Sequence, residues 1–174
     1  MTQKDSPFLI EEEKIKDRIK ELALEIKRDY EGKRPLFVGI LKGAFIFLAD
    51  LVRAIDMDLE IDFLAVSSYG KFTETTGEVE ILKDLQIPVK GRHVIIVEDI
   101  VDTGLTLKYI KDMILSRGPA SLRICALLDK KERRRVDIDA DYVGFSVPDR
   151  FLVGYGLDVA EKYRNLPYIK EIES

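Results

Sequence analysis

One cysteine and one histidine in 174 residues leave the chain poorly supplied for several kinds of chemistry. The lone thiol, Cys125, cannot close an internal disulfide, which fits a reducing cytoplasm. It lies in the apolar run Ile124-Cys125-Ala126-Leu127-Leu128, where a thiol serves as a small buried hydrophobe and not as a nucleophile. His93 opens another apolar run and reads as structural. No His/Cys cluster has zinc-ligand spacing, no serine–histidine pairing suggests a hydrolase triad, and no Walker loop is present. No apolar stretch approaches the roughly 20 residues of a membrane-spanning helix, and the N-terminus shows no signal-peptide pattern, so no membrane partner is expected. Positive charge is not in excess. A net charge of −4 argues against a general nucleic-acid binder, whose affinity rests on surplus Lys and Arg. Hydrophobic residues at 46% and charged residues at 34% are ordinary for a soluble globular enzyme. The expectation is an intracellular protein with a single domain over residues 1–174.

The rest of the chain is organised around Val94 to Leu107, VIIVEDIVDTGLTL. Val94-Ile95-Ile96-Val97 is a short unbroken β-branched run, the pattern of a strand covered on both faces. Glu98 and Asp99 follow at once as an acidic turn, Asp102 stands three residues on, and Thr103-Gly104-Leu105-Thr106 leads into a helix. Leu107, Ile110, Ile114 and Leu115 supply its apolar face, and Gly118-Pro119 ends it. Backbone N–H groups at such a helix start attract an anion, and Gly104 allows close approach to a phosphate. The three carboxylates would repel that phosphate unless sugar hydroxyls, a divalent cation or an abstractable proton engaged them. A sugar phosphate meets both conditions. Helix capping by Asp102 or Thr103 explains one carboxylate but not the adjacent pair at a buried strand's end.

Elsewhere, residues 9–30 read as an amphipathic helix, with Ile15, Ile19, Leu22, Ile26 and Tyr30 at three- and four-residue steps. Glu11, Glu12 and Glu13 suit its positive end, and Lys27 and Arg28 its negative end. Leu36 to Leu41 reads as a strand, Lys42-Gly43 as an anion-suited turn, and Ala44 to Ile55 as a helix presenting Phe45, Leu48, Val52 and Ile55. Ile61 to Ser67 is a further strand, and residues 71–79 form an exposed loop. Ser121 to Leu128 and Asp141 to Val147 are strands, separated by the basic run Lys130 to Arg135, read mostly as a solvated loop. Gly154-x-Gly156 lacks the third glycine of a dinucleotide loop. Alternation of strands and helices from residue 36 to 128 implies an α/β fold with a parallel sheet, its ligands at the carboxyl ends of the strands.

VIIVEDIVDTGLTL closely resembles the phosphoribosyl-pyrophosphate (PRPP) loop of type I phosphoribosyltransferases, in the form carried by the hypoxanthine-guanine branch. The resemblance extends from about residue 9 to 170. It implies a mostly parallel twisted sheet flanked by helices (core about 30–145) and a small hood from about 1–15 and 146–174. It also implies transfer of the phosphoribosyl group from PRPP to N9 of hypoxanthine or guanine, giving IMP or GMP and pyrophosphate. By resemblance, residues 102–106 (Asp102, Thr103, Gly104, Leu105 and Thr106) hold the 5′-phosphate, while Glu98 and Asp99 face the ribose. Asp102 takes the proton from purine N7. Lys42, Gly43 and Arg164 meet the pyrophosphate, with a non-proline cis peptide at Leu41-Lys42. Lys130 donates to the purine's exocyclic oxygen, Phe151 stacks on the base, and Leu152 offers backbone atoms to its edge. Ser68 and Tyr69 belong to a flexible lid, and Glu98, Asp99 and Asp158 serve a magnesium ion. Leu105 stands where some members carry lysine, which affects an accessory charge only. A homodimer or homotetramer is implied.

Two other classes compete. A type I fold can serve as a PRPP-sensing regulator that binds RNA or DNA, here through Arg133 to Arg135, although sensing alone does not need Lys130, Phe151 and Asp102 together. Phosphoacceptor receiver domains also place an acidic pair at a parallel strand's end, but Asp-Thr-Gly-x-Thr and Lys42 fit that pattern poorly.

Overall fold

The structure, a computed structural model, describes residues 8–68 and 79–173. In chain order the elements are β1 (Leu9–Ile10), α1 (Glu12–Tyr30), β2 (Leu36–Leu41), α2 (Phe45–Ala54), β3 (Glu60–Ser68), β4 (Val79–Lys83) and β5 (His93–Val101). They continue with α3 (Leu105–Leu115), β6 (Ser121–Asp129), a 3-10 turn (Lys131–Arg133), β7 (Tyr142–Ser146), β8 (Leu152–Val153) and β9 (Ile169–Glu171). The larger sheet has the order β4-β3-β2-β5-β6-β7, parallel throughout except for β4, which runs antiparallel to β3. The smaller one, β1-β9-β8, is antiparallel and draws together residues far apart in the chain.

The unbroken apolar run in β5 is explained by two separate cores. Ile95 and Val97, with Phe37, Cys125 and Leu127, pack on one face against Ile15, Ile19, Leu22 and Ile26 of α1 and Phe47, Leu48 and Leu51 of α2. Val94 and Ile96, with Val38 and Ile124, pack on the other against Leu107, Ile110 and Ile114 of α3. Each face therefore takes alternate residues, and a strand covered on both sides has no polar stripe to show. The thiol of Cys125 is fully buried and pushed up by that burial, which leaves it inert.

Several expectations need correction. The first helix starts at Glu12, because Leu9 and Ile10 pair with Lys170 and Ile169 as β1. In α2 the buried face is Phe47, Leu48 and Leu51, while Phe45 stays exposed. Leu115 of α3 is likewise exposed. Residue 79 is not loop but the start of β4, an edge strand whose alternating half-exposed side chains gave no strong apolar signal. Most consequentially, Glu98 and Asp99 do not lie in a turn. β5 continues through them to Val101, held by pairing of Glu98, Ile100 and Val101 with Ala126, Leu128 and Asp129 of β6.

Chain order sets the site. From β2 the chain steps to β3 on one side, and later returns to place β5 on the other side. The carboxyl ends of β2 and β5 thus flank the point where strand order reverses, the crevice in which open α/β sheets bind ligands.

Candidate active site

Three backbone segments converge at that crevice. The peptide Leu41-Lys42 at the end of β2 is cis. Next to it, Gly43 lies so close to Asp99 that any β-carbon would run into the Asp99 carboxylate. Gly156, at φ +100°, backs onto the carbonyl oxygen of Gly43 with equally little room. Glycine is therefore a steric requirement at both positions.

Glu98 and Asp99 form the floor. Glu98 Oε1 accepts the Asp99 N–H at 3.0 Å, and Asp99 Oδ1 accepts the Ile100 N–H at 2.7 Å. Burial, and then the adjacent Asp99 charge, pushes the Glu98 carboxyl well up. Burial also raises that of Asp99. Two crowded carboxylates of this kind are short of positive charge.

Beyond them, residues 102–107 curl around a cavity of about 170 Å³ that Glu98 and Val101 also line. Gly104 takes φ +85° at the N-cap of α3, and Ile138 and Arg134 crowd the space where a side chain would stand. Leu105 N–H points to Thr103 Oγ1 at 3.4 Å. The first turn of α3 carries no acidic residue, so the positive end of the helix is not neutralised from within.

The basic run behind this loop is less solvated than its composition implied. Arg134 is only 14% exposed; its Nη2 lies 2.5 Å from Asp129 Oδ1, and its Nη1 donates to the Asp102 carbonyl at 2.8 Å. Arg133 Nε donates to Asp102 Oδ1 at 3.2 Å and its Nη1 lies 3.8 Å from Asp149. Lys130 is buried, its N–H bonded to the Val101 carbonyl at 2.9 Å. Phe151 leaves 43% of its surface exposed, whereas Leu152 is buried in β8. The Phe151 carbonyl accepts the Ile172 N–H at 2.9 Å, tying this segment to the chain's last described residues.

On the opposite wall, Arg164 Nη1 donates to the Gly156 carbonyl at 2.6 Å and Nη2 lies 3.4 Å from Asp158 Oδ1. Lys42 Nζ and Arg164 share the carboxylate of Glu161. Nothing in the sequence marks Glu161, while Gly154-x-Gly156 and the Arg133–Arg135 run give signals that point to a dinucleotide loop and a solvated or nucleic-acid-binding patch and not to these contacts.

Among the described residues no three His, Cys, Asp or Glu side chains gather to hold a metal. Glu98 and Asp99 are neighbours on the floor, whereas Asp158 is engaged by Arg164 and by the Glu161 N–H at 2.8 Å. Of the lid residues, Tyr69 lies outside the described residues, and Ser68 is described only as the last residue of β3. His93 Nδ1 sits 2.7 Å from Ser121 Oγ at the opposite end of β5, consistent with a structural place. No helix among the described residues is long and apolar enough to cross a membrane.

Comparison with known proteins adds four findings. The sequence profile described as phosphoribosyl transferase domain matches residues 9–160. The hypoxanthine-guanine phosphoribosyltransferase of Aquifex aeolicus is 54% identical over 167 residues, covering 95% of this chain and 94% of that protein. The Bacillus subtilis protein of that description is 54% identical over 161 residues, covering 92% and 89%. A crystal structure of a hypoxanthine-guanine phosphoribosyltransferase from Bacillus anthracis, with a HEPES molecule in its active site, superposes with a TM-score of 0.93 at 53% identity. That match covers 99% of this chain and 100% of the other.

Proposed function

The chain belongs to the phosphoribosyltransferase family, and from that premise we propose that it carries out the hypoxanthine-guanine reaction of purine salvage. The phosphoribosyl group of PRPP passes to N9 of hypoxanthine or guanine, giving IMP or GMP and pyrophosphate. One observation carries the reading: the Lys42-Gly43 loop meets Asp99 directly at the switch point, beside the cavity of residues 102–107. A ligand with a phosphate at one end, a diol in the middle and a diphosphate at the other fits that order of groups.

The 5′-phosphate sits on the N-terminus of α3, where Thr103, Gly104 and Thr106 line the cavity and the two threonines can add hydroxyl donors. Glu98 and Asp99 face the ribose hydroxyls. Lys42, Gly43 and Arg164 take the pyrophosphate. As the C1–oxygen bond loosens, positive charge grows on the sugar, and the carboxylates at the floor stabilise it. Asp102 accepts the N7 proton as N9 attacks, a general-base step worth roughly 10²–10⁴-fold. Lys130 can only donate, so it favours a 6-oxo over a 6-amino group. Phe151 offers an exposed ring for the base to lie against, and Leu152 offers backbone atoms to the base edge.

The enzyme uses metal-bound PRPP, and magnesium is the ion that fits an oxygen-lined site of this kind. Glu98, Asp99 and Asp158 would hold it, and the shortage of positive charge at Glu98 and Asp99 suits a cation. Among the described residues no three such side chains gather at one point, so an ion held here would share its coordination with ligand oxygens. When bound, magnesium neutralises charge on the departing pyrophosphate.

Residues 9–10, 152–153 and 169–171, gathered in the small sheet, support a hood over a single domain. The unpaired buried thiol supports a cytoplasmic location. A homodimer or homotetramer is the expected assembly, by analogy with the family. The test is pyrophosphate release from PRPP and magnesium with hypoxanthine, guanine, xanthine and adenine in turn. Release with hypoxanthine or guanine and none with adenine is the expected result; no release with any base, from folded protein that binds PRPP, would refute the proposal.

A further inference from the structure

We propose that Glu161 is a placeholder anion for the diphosphate subsite: its carboxylate bridges Lys42 and Arg164 in the free enzyme, yields both cations to pyrophosphate, and reclaims them as product leaves. The inference rests on the assignment of Lys42 and Arg164 to the pyrophosphate. Two independent observations carry it.

The first is the contact itself. Glu161 Oε2 accepts from Lys42 Nζ at 3.2 Å and from Arg164 Nε at 3.4 Å, while Oε1 accepts from Arg164 Nη2 at 3.2 Å. One carboxylate thus joins cations from opposite walls of the crevice, 122 residues apart, which is the task a diphosphate performs. The Lys42 and Glu161 side chains are 67% and 61% exposed, so the bridge is in water and can be displaced by a more highly charged ligand.

The second is the backbone. Val159 and Lys162 exchange N–H···O bonds at 3.2 and 2.9 Å across a two-residue turn whose central residues, Ala160 and Glu161, have φ of +51° and +65°. Both left-handed positions are the signature of a type I′ turn, where asparagine and glycine are the unstrained occupants. A glutamate there is conformationally costly. The turn is anchored from below, because the Glu161 N–H donates to Asp158 Oδ2 at 2.8 Å and Arg164 reaches the Gly156 carbonyl. An unfavourable backbone held in place by Asp158 aims one carboxylate at two cations.

The consequence is kinetic as well as structural. Lys42 and Arg164 stay positioned without ligand, and the competing carboxylate weakens retention of pyrophosphate. Glu161→Gln keeps the shape and removes the charge. At low ionic strength it should tighten pyrophosphate product inhibition and lower the KM for PRPP, each by about two- to fivefold, the range expected for exposed ion pairs. The KM for hypoxanthine should not move, and the difference should shrink in high salt. Glu161→Gly removes the same carboxylate while relaxing the turn, and should tighten pyrophosphate equally. Unchanged or weaker pyrophosphate inhibition in Glu161→Gln would overturn the proposal, as would tightening in the glycine variant alone. Lys42→Ala separates the two levels. If it weakens PRPP and pyrophosphate but Glu161→Gln has no effect, only the placeholder role falls. If it leaves both ligands unaffected, the diphosphate assignment itself is wrong.

Discussion

Arg134 is the residue whose loss should be felt furthest from where it stands. Its guanidinium faces Asp129, whose side chain is fully buried, and also bonds the carbonyl of Asp102 in the phosphate loop. The second carboxylate oxygen of Asp129 is buried without a hydrogen-bond partner, so Arg134 is its main compensation. Arg134→Met keeps much of the side chain's volume and removes the charge. Leaving a buried carboxylate unpaired costs about 3–5 kcal/mol, and the orphaned Asp102 carbonyl about 1 kcal/mol more. Against a total stability of roughly 5–15 kcal/mol this is a large fraction. In a chain of this length it corresponds to a fall in Tm of roughly 8–24 °C. Equilibrium urea unfolding followed by far-UV circular dichroism measures it directly, the chain having no tryptophan to report by fluorescence. Adding Asp129→Leu removes the stranded charge and should restore more than half of the lost stability. A single variant within about 0.5 kcal/mol of the parent would refute the reasoning, since that is the range of an ordinary surface change. So would a double variant no more stable than the single one.

Four further outcomes follow from the site and its supports. Asp102→Asn should fold normally and lose roughly 10²–10⁴-fold in turnover, measured by single-turnover IMP formation; unchanged turnover would remove Asp102 from proton transfer. Lys130→Ala should reduce kcat/KM for hypoxanthine roughly 10²-fold or more while narrowing the gap to adenine, because the donor that rejects a 6-amino group is gone. The Glu98 carboxyl is raised on folding, so its ionisation works against stability as pH rises through the ordinary carboxylate range and on to the folded value. Glu98→Gln should therefore raise the urea midpoint at neutral pH while weakening PRPP binding. Asp62 shows the opposite sign: burial pushes its carboxyl up, but the N–H groups of Ile87, Phe63 and Gln86, with Lys83, hold it below the usual value. Its contribution is present above the unfolded pKa of about 4 and lost as pH falls towards the folded one. Asp62→Asn should lower stability at neutral pH and flatten the acid limb of the stability profile.

Legibility differed by element. The helix of Ile15, Ile19, Leu22 and Ile26 showed in its spacing because one face is buried and the other solvated. Phe45 misled because in a mostly apolar helix such as α2 periodicity identifies no buried face; the neighbours choose Phe47 and Leu51 instead. β1, β8 and β9, each two or three residues long, carry no pattern of their own and exist only because distant segments pair. Glu98 and Asp99 looked like a turn because carboxylates are rare in strands, and their place in β5 depends on β6 alongside. Within the site, Arg134 hid in a run of like charges whose usual fate is solvation.

Chemistry confined to neighbouring residues was determined by the sequence alone. The glycine at 104, the threonines beside it, the adjacent carboxylates and the β-branched run before them act through local backbone geometry, so the order of residues is sufficient to show them. Tertiary structure decided what depends on approach between segments. It placed Gly43 against Asp99 and Gly156 against Gly43, Arg134 against a buried Asp129, and Glu161 between Lys42 and Arg164. The physical reason is range. Dihedral preference and side-chain periodicity act over a few residues, whereas steric exclusion and charge pairing act over a few ångströms, and only the folded chain converts one into the other.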